Sequence, residues 1–260
     1  MSTVRLQGCC LNGEESLVEI RLSEGFALYL HVDSQPPVSI DYSIDSIRVR
    51  DHTVTVGDLQ HLHVVEHLFS ALYGFDLFNV RIDVHGSEIP FFDGSSREIG
   101  LAMADFDGDE SPVIIPDGCI EISEGESVIR YTPGADGGLI VDMMLVHPYI
   151  GMQRITLPVT RQTYASEIMP ARTFVFTHEE DPRLHDLPPY GIGITEKKIH
   201  SAAPLRFEDE PVRHKILDLL GDLYVMRGRL CGKIVAINTS HRLNFQFIRK
   251  VISSMDGLNA

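Results

Sequence analysis

Positive charge is what this chain is short of. Against 37 Asp and Glu it sets 22 Lys and Arg, a formal net charge of −15. Such a chain offers no field to gather a phosphate backbone, so nucleic acid is not expected as a partner. A small anionic substrate stays open, because a few local cations can override the global charge. Cysteine is scarce too: Cys9, Cys10, Cys119 and Cys231, with no Cys-x-x-Cys pair. Adjacent cysteines are poor partners for each other, and all four read as reduced thiols of a reducing compartment. No run approaches the roughly 20 apolar residues of a membrane span. The opening MSTVRLQGCCLNGEE has no apolar h-region, so no signal peptide is expected and the expected location is cytoplasmic. A Gly-x-Ser-x-Gly elbow is missing as well, which leaves serine hydrolysis from Ser70 or Ser95 without its local signature.

What remains is an ordinary globular composition, 43% hydrophobic and 23% charged over 260 residues, enough for one large domain or two small ones. Leu17–Leu22, Phe26–Val32 and Ile47–Arg50 alternate like short antiparallel strands, broken at Asn12-Gly13, Gln35-Pro36-Pro37 and Asp51. Val64–Tyr73 switches to helical spacing and stops at Gly74 in the usual position just past a helix end. A strand at Asn79–Val84, a loop at 86–96 and a helix at Arg97–Phe106 complete a strand-rich unit. Asp107–Pro112 reads as a linker. Beyond it the grammar returns, with strands near 119–131 and 138–146, a helix-like segment at 162–169 and a helix from Pro211. A strand at Lys233–Asn238 and a helix at Leu243–Ser254 close the chain. The stretch 177–206, with Pro182, Pro188 and Pro189, reads as a mobile cover. The expectation is an α+β protein of two similar domains, 1–110 and 111–260, each a small sheet with helices.

The chemistry concentrates in a few places. Val212, Ile216, Leu219, Leu220 and Leu223 share one helical face. On the same helix His214, Asp218 and Asp222 stand four residues apart, each about one turn above the last. An imidazole and a carboxylate one turn apart amid core residues make most of a metal site, although an isolated pair of this kind is usually a solvated ion pair. Glu66 and His67 are adjacent within an apolar run, and burial without partners would be costly for both. A helix end opening on a cleft would let both serve. His241 falls between a strand and a helix. His31, His61 and His63 read as surface or satisfied core histidines, and His178, His185 and His200 as solvated ones.

Together these signals match a pattern in order and spacing. The segments are Val65-Glu66-His67-Leu68, Glu88-Ile89-Pro90-Phe91-Phe92-Asp93-Gly94-Ser95, Ala171-Arg172-Thr173-Phe174, Leu205 through Asp218, and Ser240-His241-Arg242-Leu243-Asn244. They resemble the UDP-3-O-acyl-N-acetylglucosamine deacetylases of lipid A biosynthesis, which are zinc amidases. The resemblance implies two α+β halves with the active site between them, and a Zn²⁺ (or Fe²⁺) held by His67, His214 and Asp218. It makes Glu66 the general base. His241 becomes the group that protonates the leaving amine or stabilises the oxyanion, with Asp222 orienting its ring. Thr173 would donate to the developing oxyanion, Lys215 would add positive charge there or at a phosphate, and Phe174 with Lys215 would meet the substrate. The implied partner is a small N-acylated sugar or a related amide.

Departures from the pattern fall on the substrate side. Asn12 stands where a His is expected, Val64 replaces a Thr, and Leu145 replaces an aromatic that stacks on uracil. Thr239 replaces a basic residue that meets the diphosphate. The expectation is therefore a deacetylase with altered recognition of nucleotide and acyl chain. One alternative is the orthodox lipid A enzyme. Another, of a different class, is a non-catalytic binding protein stabilised by zinc, against which Glu66 and His241 argue, since a purely structural site needs neither.

Overall fold

Along Glu15–Leu22 the apolar Val18 and Ile20 alternate with Glu19 and Arg21, and this period of two divides a buried face from a solvated one. The structure is a computed structural model that describes residues 3–32, 35–50, 53–58, 60–108, 111–134, 137–186 and 191–256. Five strands form a first sheet in the order Thr3–Cys9, Glu15–Leu22, Val80–His85, Ala27–His31, Val38–Ser39. Val80–His85 comes last in the chain but lies at the centre, antiparallel to Glu15–Leu22 and parallel to Ala27–His31. Parallel neighbours need a crossover. Here it carries the helix Glu66–Gly74.

A second sheet follows the same plan, in the order Ile120–Glu124, Ser127–Thr132, Gly232–Ile237, Leu139–His147, Gly151–Val159. Gly232–Ile237 again arrives last and sits centrally, antiparallel to Ser127–Thr132 and parallel to Leu139–His147. Its crossover carries the helix Glu210–Leu223, and the helix His241–Asp256 follows the central strand. The architecture is α+β, as expected. The two crossover helices pack on each other, and the expected apolar face of the second is wholly buried at Val212, Ile216, Leu219, Leu220 and Leu223. Gly221 permits the close approach: a Cβ there would lie 2.3 Å from the Glu66 carbonyl oxygen.

Several expectations are corrected. The first helix begins at Glu66 rather than Val64, because Val64 adopts φ +59°, outside the helical range. Gly74 is its last residue and not a left-handed cap. It is glycine because Tyr164 lies against it, and a Cβ there would run into that ring. The second helix is shorter than expected, Arg97–Ala102. Strands also form at Thr53–Val56 and Gly151–Val159, where the sequence pattern gives no expectation of one. The stretch 177–206 is not an irregular cover. Ile192–Ile194 is buried and pairs with Phe174–Phe176 and with Ile199–His200. Pro188 and Pro189 lie outside the described residues, as do residues 109 and 110 of the linker. His31, His61 and His63 are satisfied by Asp83, the Gly57 carbonyl and Thr55 respectively. His200 is not solvated: it is half-buried against Glu179, at 3.4 Å.

Candidate metal centre and hydrolytic site

Successive helical residues point about 100° apart, so Glu66 and His67 can serve one site only from a helix end. They are the first two residues of theirs. A β-branched residue at positive φ is strained by on the order of 1–3 kcal/mol, and Val64 bears that strain just upstream. The kink is held by the Val64 amide donating to the Val54 carbonyl at 3.0 Å. It turns the Glu66 carboxylate back toward the Val54 amide, at 3.4 Å. His67 lies flat beside Phe91, ring centres 5.3 Å apart, and meets His214 edge-on at 5.1 Å.

His214, Asp218 and Asp222 come from one face of Glu210–Leu223, as the spacing of four requires. His214 Nδ1 lies 3.0 Å from the Ala171 carbonyl, which can only accept, so that nitrogen carries the proton. In the neutral ring Nε2 then presents its lone pair to Asp218 Oδ1, at 3.3 Å. Two acceptors facing each other are the arrangement a cation relieves. One ligand atom each from His67, His214 and Asp218 lie within 4.8 Å of one another, all buried. Burial drives the His67 imidazole down to about 3, so its lone pair is free at neutral pH. Two imidazoles and a carboxylate fit a divalent ion of intermediate softness.

Around this triad the charges are matched. Burial opposes ionisation of Asp218, yet Lys215 and His241 hold its carboxyl well below the usual range. Lys215 Nζ sits 2.7 Å from Asp218 Oδ2, so its charge acts first on that carboxylate. His241 is the first residue of its helix rather than part of a loop, and Asp222 lies 2.8 Å from its Nδ1. Burial alone would lower the His241 imidazole, but Asp222 and Asp218 outweigh it and hold it at about 9. Burial pushes Glu66 up to about 7, with His241 pulling the other way. Phe174 stands edge-on to His214, ring centres 6.2 Å apart. Thr173 is strapped in place by its amide on the Gly94 carbonyl, at 2.7 Å, and by its carbonyl, which accepts from Ile192 at 2.9 Å. The structure thus brings the expected site residues into one neighbourhood around the two crossover helices.

Sequence reasoning gave no role to the groups that hold these pieces together. Arg172 and Glu210 form a buried bidentate pair, with Nε to Oε1 at 2.8 Å and a second contact at 3.1 Å. Glu210 also accepts from the Arg172 and Arg206 amides. The pair ties the segment that presents Ala171 and Thr173 to the first turn of the metal-bearing helix. Arg206 carries the tie across to Asp93 and reaches the Pro170 carbonyl at 2.7 Å. The only available signal was that Arg172 and Glu210 both fall inside matched segments. The departures are equally informative. Leu145 packs into the hydrophobic core, and Thr239 spends its hydroxyl on Asn244 and brings no cation.

Residues 2–253 match a family described as UDP-3-O-acyl N-acetylglycosamine deacetylase. The chain is 30% identical over 261 residues to the UDP-3-O-acyl-N-acetylglucosamine deacetylase of Geotalea uraniireducens (strain Rf4), covering 94% of this chain and 84% of that protein. It is 32% identical over 238 residues to the protein of that name from Syntrophotalea carbinolica, covering 86% of this chain and 76% of the other. With the Campylobacter hominis protein of that name it shares 32% over 212 residues, 77% of this chain and 72% of its relative. Among the described residues no helix is long and apolar enough to cross a membrane. A match over nearly the whole length, on a fold that gathers the motif residues, means that the chain belongs to the UDP-3-O-acyl N-acetylglycosamine deacetylase family, hydrolases of an amide C–N bond.

Proposed function

We propose that this protein is a zinc-dependent N-deacetylase of the cytoplasm, acting on a small N-acylated sugar and recognising nucleotide and acyl chain differently from its relatives. One observation carries the reading: the ligand atoms of His67, His214 and Asp218 converge within 4.8 Å, beside a buried Glu66 and a buried His241. A Zn²⁺ held by these three, or Fe²⁺, which the same donors suit, supplies Lewis acidity that polarises an amide carbonyl and makes water acidic near neutral pH.

The chain's own groups do the rest. Glu66 accepts the proton of the attacking water, for which a carboxyl near 7 is well matched at neutral pH. Thr173 donates to the oxygen that gains charge as the carbon becomes tetrahedral, and Lys215 adds positive charge nearby. His241, protonated up to about 9, delivers a proton to the departing nitrogen. Asp222 keeps that imidazole oriented. Phe174 offers an apolar wall to the sugar. The products are a free amine and a carboxylate. The repeated strand order of residues 3–85 and 120–237 supports two domains, 1–110 and 111–260, with catalysis between them.

The altered recognition is supported by Leu145 and Thr239, which supply neither a ring face nor a cation at positions where the family pattern has them. The names of the relatives favour a second reading, in which the substrate is the orthodox UDP-3-O-acyl-N-acetylglucosamine. Metal analysis of the purified protein, followed by turnover of that compound beside other N-acetylated sugars, separates them. Zinc at one per chain with preference for another sugar is expected. Efficient turnover of the UDP-linked acyl sugar ends the altered-recognition part. No bound divalent ion and no turnover of any member ends the whole.

A further inference from the structure

Behind His241 the hydrogen bonds continue inward. Asp222 Oδ2 accepts from His241 Nδ1 at 2.8 Å and from Asn244 Nδ2 at 2.7 Å. Asn244 Oδ1 in turn accepts from the Thr239 hydroxyl. All four side chains are buried, Asn244 completely. His241 and Asn244 are three apart on one helix, so both reach the same carboxylate from adjacent positions of one face. The direction of the chain follows from chemistry. An ionised carboxylate only accepts, so the amide must turn its NH₂ to Asp222. Its oxygen then faces Thr239, and the hydroxyl must be the donor. Residue 239 is where a basic side chain is expected from the resemblance, and here a buried hydroxyl serves the amide instead.

We propose that Asn244, set by Thr239, is a positioning residue: it fixes the Asp222 carboxylate so that His241 keeps Nδ1–H engaged and Nε2 turned toward the metal side of the site. Nε2 lies 4.0 Å from Asp218 Oδ1, consistent with that aim. This rests on the reading of His241 as proton donor. Without the amide, Asp222 keeps a single partner and can rotate, and the imidazole with it. A purely structural helix-end network would need neither the hydroxyl's donor role nor the amide's orientation for turnover.

The test compares Thr239→Val, Thr239→Ser and Asn244→Ala in the metal-loaded enzyme, with ¹⁵N-histidine NMR of each. Thr239→Val and Asn244→Ala should lower kcat by roughly 10- to 100-fold, the usual scale for groups that orient a catalytic histidine, with KM unchanged. Thr239→Ser should restore kcat. The Nδ1–H signal of His241 should move in the two impaired variants and not in the serine variant, while zinc content stays at the unsubstituted level. Equal loss in the valine and serine variants, a rise in KM at constant kcat, or an unmoved His241 signal overturns the proposal. If Asn244→Ala does not fold, the valine and serine pair decides alone. His241→Gln is the control on the underlying reading. Full activity there removes His241 as donor, whereas loss there with no effect of Thr239→Val removes only the positioning role.

Discussion

The helices Glu66–Gly74 and Glu210–Leu223 occupy the same place in two sheets of the same strand order, each on the crossover into a central strand. They carry chemistry in opposite ways. The first, nine residues long and buried throughout, contributes only its leading tip, Glu66 and His67. The second, fourteen residues long, spreads His214, Asp218 and Asp222 over successive turns of one face. Adjacent residues reach a common point only from a helix end, and residues four apart only from a helix flank. The site needs both, because a tip meeting a flank surrounds a point from two sides. Gly221 brings the flank to backbone distance of the tip, next to the Glu66 carbonyl.

If the contribution is shared in this way, losing a ligand from either helix should be equally damaging. His67→Ala and His214→Ala should each lose bound metal and lower kcat/KM by on the order of 10³ or more, since a Lewis-acidic ion contributes several kcal/mol at 1.36 kcal/mol per tenfold. Metal analysis beside steady-state kinetics checks this. A His67→Ala protein that keeps its metal and its rate would confine the centre to the second helix.

The tie between segments comes next. Arg172 and Glu210 have side-chain exposures of 4% and 0%. Arg172→Ala strands a buried carboxylate and should cost about 3–5 kcal/mol in denaturant unfolding. A loss under 1 kcal/mol for the single substitution would show that water reaches Glu210.

The two glycines at the helix contacts should then part company. Gly221→Ala pushes a methyl against the Glu66 carbonyl, and Gly74→Ala against the Tyr164 ring. Both should lower stability by roughly 1–3 kcal/mol through overpacking. Only Gly221→Ala should also lower kcat, because only it displaces the catalytic tip. Equal kinetic effects would break the distinction between tip and flank.

Much of this plan was legible in the chain. The spacing of His214, Asp218 and Asp222 within an apolar helical face is a local signal, and a helix displays it directly. The strand Gly151–Val159 was hidden because it is an edge strand buried mainly at one end, and Pro158, which an edge tolerates, reads as a breaker. Thr53–Val56 alternates Thr with Val, but over only four residues, the shortest span on which such a pattern can be read. Glycine at 74 resembles a cap in sequence because the reason for it, Tyr164, is 90 residues away. The same holds for Arg172 with Glu210, and for Asn244 with Asp222: partners distant in sequence leave no periodicity. Motif resemblance located those residues without saying what they do.

The smallest effect, and the finest test of the division of labour, is the pH profile. Glu66 belongs to the tip and must be ionised to take a proton. Burial holds it up at about 7, so kcat/KM should climb tenfold per unit below that value and level above it. His241 faces the flank and must be protonated to give a proton. It is held at about 9, so the rate should fall above that pH. Asp222 is the largest influence raising His241 and Asn244 donates to the same carboxylate, so Asp222→Asn removes the support and lets burial act. The alkaline limb should then move down by about a unit or more, and the acid limb far less, because Asp222 is only a minor influence on Glu66. A limb near 9 that ignores Asp222→Asn would belong to another group, and proton delivery would have to be assigned away from the second helix.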